Sequence, residues 1–213
     1  MSTNNSTLST VNYQLSIDRE KLFHSVRDSI FHGKFTQAQV DGVNAIVSKA
    51  EERQLPDKRW LAYMLATAYH ETAHTMQPVV EYGKGFGRDY GMKLKRGSGP
   101  GRRIPYDQPD QIYYGRGYVQ LTWYENYEEM GRLLKHDLLN HPELAMQPDI
   151  AAEIMFEGMT NGFSRRGDFT GVSLEKYFNA KAEDWVSARH IINGLDKAEL
   201  IAEYGRKFYA GLI

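Results

Sequence analysis

Residues 113–127 read YYGRGYVQLTWYENY, and this stretch says more about the fold than any other part of the chain. Its first half combines aromatic side chains with Gly115 and Gly117, which allow a backbone to approach a ligand closely. Its second half, Thr122-Trp123-Tyr124-Glu125, has the spacing of a capping box and predicts a helix with Thr122 at its N-cap. The stretch therefore predicts a loop that runs directly into a helix.

Upstream lies a long segment, residues 82–118, that is rich in turn-forming residues. It holds nine of the 19 glycines of the chain and three prolines, a composition that cannot sustain a long helix. An ordered loop of this length usually belongs to a site, so we predict a functional loop with short strands. Its positive charge allows two interpretations, a solvated loop or a surface that binds anionic wall polymer or lipopolysaccharide phosphate. The eight basic residues are Lys84, Arg88, Lys93, Lys95, Arg96, Arg102, Arg103 and Arg116.

Further upstream, residues 70–74 read His-Glu-Thr-Ala-His on the last turns of a predicted helix that opens at Pro56-Asp57. H-E-x-x-H is a zinc peptidase signature, in which two histidines four apart share a helix face and the glutamate acts as base. Solvated or hydrogen-bonded histidines are the simpler interpretation. A zinc site also needs a third ligand, and the available side chains are His136, His141, Glu125 and Glu128.

The same segment also suits glycosidase chemistry, which needs one carboxylic acid and a second carboxylate on the other face of the sugar. Glu71 lies beside an apolar stripe at a helix end, where partial burial favours the protonated form. Glu81 follows ten residues later, beyond Pro78, and so belongs to a different element. A partner on a separate element leaves room for a water molecule between the two carboxylates, as inversion requires.

The bulk composition is that of one globular domain. The chain has 213 residues, 41% of them hydrophobic and 25% charged, and its 26 basic and 27 acidic residues nearly cancel. We therefore expect no nucleic-acid partner. Without cysteine there is no disulfide framework. The polar start lacks the features of a signal peptide, and no stretch is long and apolar enough for stable membrane insertion.

Helical periodicity dominates outside the loop and predicts a mainly α fold of two helical lobes. Residues 1–15 predict a flexible tail, and residues 16–213 a single catalytic domain. One predicted helix covers about 37–53 and starts with the capping pattern at Thr36. The remaining helical patterns include Phe23, Val26 and Ile30; Leu61 to Ala68; Trp123 to Leu134; residues 149–160; a short helix near 174–178; Trp185, Ala188 and Ile192; and Leu200 to Phe208.

Three motifs of the chain resemble glycoside hydrolase family 19, the chitinase-like family. Residues 113–127 resemble its Y-Y-G-R-G-x-x-Q-L-[ST] signature with the N-Y that follows. Residues 70–72 resemble its catalytic-acid motif, and residues 191–194, Ile-Ile-Asn-Gly, resemble its late motif. The three occur in the family's order. A compact chain without cysteine is most similar to the phage endolysin branch.

The resemblance implies a lysozyme-like, mainly α fold with a central cleft that hydrolyses β-1,4 bonds between N-acetylated sugars with inversion. It implies that Glu71 is the general acid, Glu81 the general base, and Thr122 a holder of the attacking water. Two departures concern distal sugar contacts: Tyr118 stands where the family has proline, and no C-terminal arginine is matched. The implied substrate-binding residues, the first two of which shape the cleft, are Tyr114, Arg116, Gln120, Asn126 and Asn193.

The expected substrate is the glycan strand of peptidoglycan, with chitin as the second possibility. The two-carboxylate mechanism needs neither metal nor cofactor, and we expect a monomer. An endolysin would stay in the bacterial host cytoplasm until lysis and then act on the periplasmic wall. Two further hypotheses stay open on the sequence, a zinc peptidase or amidase that uses His70 and His74, and a wall-binding module without catalytic activity.

Overall fold

The computed structural model describes residues 15–160 and 169–213. This part of the chain is mainly α-helical, as predicted, with short 3₁₀ helices at Asp89–Met92, Pro142–Met146 and Ser187–Ile191. The α-helices are α1 (Arg19–Ser29), α2 (Gln37–Glu52), α3 (Lys58–Glu71), α4 (Tyr124–Leu134), α5 (Pro148–Met159), α6 (Leu174–Tyr177) and α7 (Ala198–Leu212).

Among the described residues, the strands are short and pair only in twos, all antiparallel. They confirm that the glycine-rich segment is a loop with short strands, since two of the three pairs involve it. The pairs are β1 (Val79–Val80) with β4 (Arg116–Gly117), β2 (Leu94–Arg96) with β3 (Arg103–Pro105), and β5 (Phe178–Asn179) with β6 (Ala182–Glu183).

Helix α3 lies at the centre of the fold, and every residue from Trp60 to Tyr69 is buried. A helix that is apolar all round must be covered on all sides. Helix α7 packs on α3 and α1 packs on α7, while α2 and α5 contact both α3 and each other, and α4 rests on α5. The helix that ends in the His-Glu-Thr motif is therefore held between two groups of helices. No helix in the described ranges is long and apolar enough to cross a membrane.

Local signals predict some helix starts correctly and one wrongly. The capping box at Thr36 is confirmed, since the Thr36 hydroxyl accepts from Gln39 N and the Gln39 side chain accepts from Thr36 N. The predicted capping box at Thr122 is wrong. Trp123 takes the N-cap place with φ 73°, and no side chain caps the helix.

Two further boundaries differ from prediction. The sequence predicts Leu15 in the flexible tail, but this residue is buried and its N–H donates to Gln54 Oε1 at 2.8 Å. The rest of that tail, residues 1–14, lies outside the described residues. The spacing of Trp185, Ala188 and Ile192 predicts an α-helix. The segment instead forms a 3₁₀ helix over Ser187–Ile191.

Several tyrosine hydroxyls are buried, and this predicts the response of the fold to alkali. Burial raises the pKa of Tyr90 and of Tyr106 from 10.0 to about 12, and raises those of Tyr63, Tyr113 and Tyr118 further. The unfolded chain then loses tyrosine protons more readily than the native state. The contribution of these tyrosines to the free energy of unfolding is complete below pH 10 and is lost as the pH rises toward 12.

We expect the tyrosinate absorbance of the buried tyrosines to appear in one cooperative step with loss of helical circular dichroism in that pH range. The pH should be raised in small steps while both signals are recorded. Gradual ionisation of all 14 tyrosines near pH 10, with the helical signal intact, would contradict the prediction.

Candidate active site

Helix α3 ends within the His-Glu-Thr motif, and Thr72 causes the ending. The Thr72 hydroxyl donates to Ala68 O at 2.7 Å and accepts from Met76 N at 3.0 Å. Ala73 and His74 then adopt left-handed backbone conformations, with φ 49° and 70°. The buried threonine thus closes the helix directly after Glu71 and leaves that carboxylate on its last turn.

This ending overturns the geometry on which the zinc interpretation depends. His74 lies beyond the helix and does not share a face with His70. Its imidazole stacks on the Tyr69 ring with the centroids 4.2 Å apart. Within residues 15–160 and 169–213, no group of three or more histidine, aspartate or glutamate side chains is placed to hold a metal ion.

Arg189, which sequence reasoning missed, holds Glu71. Its Nη1 donates to Glu71 Oε1 at 2.7 Å, and its Nε donates to the carbonyl of Asp196 at 3.1 Å. The Arg189 side chain is 3% exposed and that of Glu71 is 17% exposed. A buried charge needs such a partner, so the ion pair fixes one carboxylate oxygen of Glu71 in place.

Replacing Arg189 by methionine is expected to lower both stability and turnover. Removing one member of a buried pair leaves an uncompensated charge. Because Glu71 keeps some solvent contact, we expect a loss of about 2 kcal/mol in the free energy of unfolding. Because Arg189 acts through Glu71, kcat should fall more than KM rises. Urea denaturation and steady-state kinetics measure these effects.

Two controls separate a positioning role from a general loss of packing. Arg189→Lys keeps the charge and should recover part of the activity. In Arg189→Met combined with Glu71→Gln, no buried charge remains unpaired, so the stability loss should be smaller than the sum of the single losses. Additive losses would show that the pair is not coupled.

Glu81 is attached directly to the signature stretch. Strand β1 pairs with β4, and immediately after it Glu81 N donates to Gly115 O at 2.8 Å. The Gly115 N–H donates in return to Glu81 Oε2 at 3.0 Å, and the Tyr90 hydroxyl donates to Oε1 at 2.6 Å. Both carboxylate oxygens therefore have a donor, and Glu81 is held on an element separate from that of Glu71, as predicted.

Tyr90 is a second residue that sequence reasoning missed. Burial and the hydrogen bond to Glu81 raise its pKa to about 12, so the hydroxyl stays protonated near neutral pH and remains a donor to Glu81. Its ring meets the Trp123 ring edge-on at 5.5 Å. Tyr90 therefore links the loop after Glu81 to the start of α4.

A tight hairpin follows β4 and turns the signature back on itself. Arg116 and Leu121 exchange two backbone hydrogen bonds, and Gly117 and Gln120 between them have positive φ. The Gln120 amide donates to Val79 O at 3.0 Å and to Gly117 O at 3.3 Å. Its nitrogen thus fastens the hairpin to β1, and its role in substrate binding stays a prediction.

Arg116 is an internal brace of the signature. The buried guanidinium donates to the carbonyls of Ile112 and Tyr114 and to the Tyr127 hydroxyl, at 3.0 to 3.2 Å. It also lies 3.6 Å from the centroid of the Tyr114 ring. All of these contacts are made within the protein and hold the signature loop in shape, and the role of Tyr114 and Arg116 in shaping a cleft is still a prediction. Their contact with substrate stays a prediction.

A pocket of about 220 Å³ gathers several predicted site residues. Thr122 lines it, and its hydroxyl makes no side-chain hydrogen bond with the described residues. Phe169 and Ile192 close it from the C-terminal part of the chain, and Ile192 lies three residues after Arg189. The pocket thus joins the signature hairpin to the segment that holds Glu71. Its lining residues are Val119, Gln120, Leu121, Thr122, Trp123, Asn126, Phe169 and Ile192.

Asn193 stands beside this pocket and is exposed. Its backbone N–H donates to Arg189 O at 3.0 Å, and its side-chain Oδ1 accepts from Gly194 N at 2.8 Å. The Ile-Ile-Asn-Gly motif is therefore tied to the arginine that holds Glu71. The side-chain nitrogen of Asn193 makes no hydrogen bond with the described residues, and its substrate-binding role stays a prediction.

Comparison with known families gives a match over residues 37–162 to the glycoside hydrolase family 19 model, described as chitinase class I. The chain belongs to glycoside hydrolase family 19. The matched residues include Glu71, Glu81 and the whole signature, while Arg189 and Asn193 lie beyond them.

Relatives of this family 19 chain include plant endochitinases. Endochitinase 1 of Theobroma cacao is 35% identical over 108 residues, which are 46% of this chain and 32% of the relative. Basic endochitinase CHB4 of Brassica napus is 36% identical over 95 residues, 44% of this chain and 32% of the relative. The chain thus spans about a third of the length of these curated relatives.

Two further similarities bear on fold and activity. The family 19 class IV chitinase from Zea mays matches 89% of this chain and 93% of its own, with a TM-score of 0.55 and 21% identity, which shows the shared fold. Inactive chitinase-like protein 1 of Hevea brasiliensis is 53% identical over 36 residues, 17% of this chain and 12% of the relative.

Proposed function

We propose that this family 19 chain is a peptidoglycan-degrading glycosidase of the endolysin type. It would hydrolyse β-1,4 bonds between N-acetylated sugars of the bacterial wall with inversion of configuration. The observation that carries the proposal is the pair of carboxylates held on separate elements, Glu71 by Arg189 and Glu81 by Gly115 and Tyr90.

In the proposed mechanism, Glu71 acts in its protonated form, with the proton on Oε2 while Oε1 accepts from Arg189. This proton passes to the glycosidic oxygen as the bond to the anomeric carbon breaks. Glu81 takes a proton from a water molecule, whose oxygen forms the new bond to that carbon from the opposite face. The Thr122 hydroxyl has no internal side-chain partner among the described residues and would hold this water. The products carry one new hemiacetal and one new alcohol, and solvent exchange resets both carboxyl groups.

Chitin is the second candidate substrate, because the curated relatives include proteins named endochitinases. Chitin and the peptidoglycan glycan share β-1,4-linked N-acetylated sugars, so the same two carboxylates would serve both polymers. The excess of basic residues in the loop at 82–118 favours peptidoglycan, because chitin is uncharged and has no anionic group with which they could pair.

The test is to digest purified Gram-negative peptidoglycan and chitin with and without EDTA and to identify the new chain ends by mass spectrometry. New reducing sugar ends from peptidoglycan, formed equally with EDTA, are the expected result. Whether those ends are muramic acid or glucosamine names the bond that is cut. Soluble products from chitin alone would select the second candidate, and new peptide or amide ends that EDTA abolishes would overturn the glycosidase mechanism.

A further inference from the structure

The loop that follows Glu81 exposes large apolar side chains. We call residues 82–92 the rim loop. Tyr82 is 102% exposed, Phe86 94% and Met92 67%. Most large apolar side chains of the described ranges are buried in one continuous core. Two fully exposed rings four residues apart, beside a candidate catalytic carboxylate, therefore indicate a contact surface.

The rim loop is folded tightly on itself, so the exposure of these rings is built into its backbone. Successive turns are closed by Lys84 N–H to Glu81 O at 3.1 Å, Phe86 N–H to Gly83 O at 2.9 Å and Arg88 N–H to Gly85 O at 3.0 Å. Gly91 packs so closely that a Cβ there would lie 2.0 Å from Gly85 O. The loop thus holds its rings in exposed positions before a ligand binds, which lowers the entropic cost of binding.

Positive charges alternate with the rings. Lys84 and Arg88 are exposed, and neither forms an ion pair with a described residue. Lys93, by contrast, pairs with Asp110, and Arg103 pairs with Glu125. Burial raises the pKa of the Tyr90 hydroxyl, which is bonded to Glu81, and Arg88 lies close enough for its charge to oppose part of that rise. Two cations without acidic partners among the described residues therefore lie in the loop that directly follows the candidate general base.

We propose that the rim loop is a specificity-determining surface that binds the carboxylate-bearing stem peptides of a substituted glycan strand. Lys84 and Arg88 meet the stem carboxylates, while Tyr82 and Phe86 cover uncharged parts of the strand. Chitin has no such carboxylates, so the loop favours peptidoglycan over chitin at the same catalytic pair. The inference rests on the proposed function and names the group that selects its substrate.

The test compares intact glycan strands with the same strands after an amidase has removed the stem peptides. The variant Lys84→Gln/Arg88→Gln is compared with Arg132→Gln/Lys181→Gln, which removes two exposed cations outside the rim loop. In the rim-loop variant, we expect the ratio of kcat/KM on intact to stem-free strands to fall about fivefold. Any effect of Arg88 on Glu81 cancels in this ratio. The control variant should keep the wild-type ratio.

Binding to the two insoluble polymers, measured by sedimentation of the full chain, separates failure of the inference from failure of the proposed function. Cleavage of peptidoglycan with an unchanged ratio in the rim-loop variant overturns the inference alone. No cleavage of either polymer, with stem-dependent binding that Lys84→Gln/Arg88→Gln abolishes, overturns the proposed function alone. Binding to phosphatidylglycerol vesicles that the variant loses, with the strand ratio unchanged, would assign the rim loop to a lipid surface and overturn the inference.

Discussion

Glu71→Gln is expected to lower kcat/KM on glycan strands at least about 100-fold, because it removes the proposed proton donor to the leaving oxygen. The amide oxygen of glutamine can still accept from Arg189 Nη1, which now lies 2.7 Å from Glu71 Oε1. The variant should therefore fold and bind glycan as before. Rates of reducing-end release and sedimentation with the polymer measure the two effects separately.

A matched control for this variant is Glu20→Gln, which neutralises an exposed carboxylate in the first turn of α1. It should leave both rate and binding at wild-type values. Near-normal cleavage by Glu71→Gln would exclude Glu71 as the general acid. Because the family also contains a relative named inactive, this comparison tests whether the chain itself is catalytic.

Glu81→Gln is expected to lower kcat/KM by about 100-fold or more, because the attacking water then has no base. The structure allows glutamine to fit. Its oxygen can accept from Gly115 N–H, and its amide can donate to the Tyr90 hydroxyl oxygen in place of the present bond to Oε1. Thermal unfolding should therefore change little.

Azide separates the two carboxylates, because it is a nucleophile that needs no base. It should partly restore cleavage by Glu81→Gln and give a glycosyl azide with inverted configuration, because it takes the place of water. It should not restore Glu71→Gln on natural strands, whose leaving oxygen still lacks a proton. Azide rescue of Glu71→Gln instead of Glu81→Gln would show that Glu71 is the general base and Glu81 the general acid.

The sequence predicted those parts of the site that depend on local patterns. Glu71 lies at a helix end and Glu81 on the next element, as expected from Pro78 and the spacing. The Thr36 capping box formed at an exposed turn, where the tertiary bond from Gln39 Nε2 to His74 O leaves the Gln39 oxygen free to accept from Thr36 N. The same spacing failed at Thr122, where the hairpin between Arg116 and Leu121 and the bond from Trp123 N to Tyr113 O impose a different backbone. Tertiary hydrogen bonds there override the local preference.

Long-range parts of the site could not be read from one sequence. The distance along the chain between Arg189 and Glu71 is 118 residues, so no periodicity relates them. The only sequence feature that could have pointed to Arg189 is its position two residues before the Ile-Ile-Asn-Gly motif. The left-handed turn at Ala73 and His74, which separates the two histidines, follows from the bonds of the buried Thr72 hydroxyl. The H-E-x-x-H pattern does not specify the residue after the glutamate, so it cannot predict the effect of the Thr72 hydroxyl.

The hydrogen bond from Gly115 N–H to Glu81 Oε2 makes the signature loop a spectroscopic probe of its own chemistry. An amide proton that faces a carboxylate resonates at lower field when the carboxylate is charged than when it is neutral. The Gly115 amide signal in a ¹⁵N-labelled sample should therefore follow the ionisation of Glu81 as pH changes, without substrate or turnover. Glu81→Gln should abolish that titration, and the change of the signal when a glycan is added would report how the occupied cleft alters the proton affinity of Glu81.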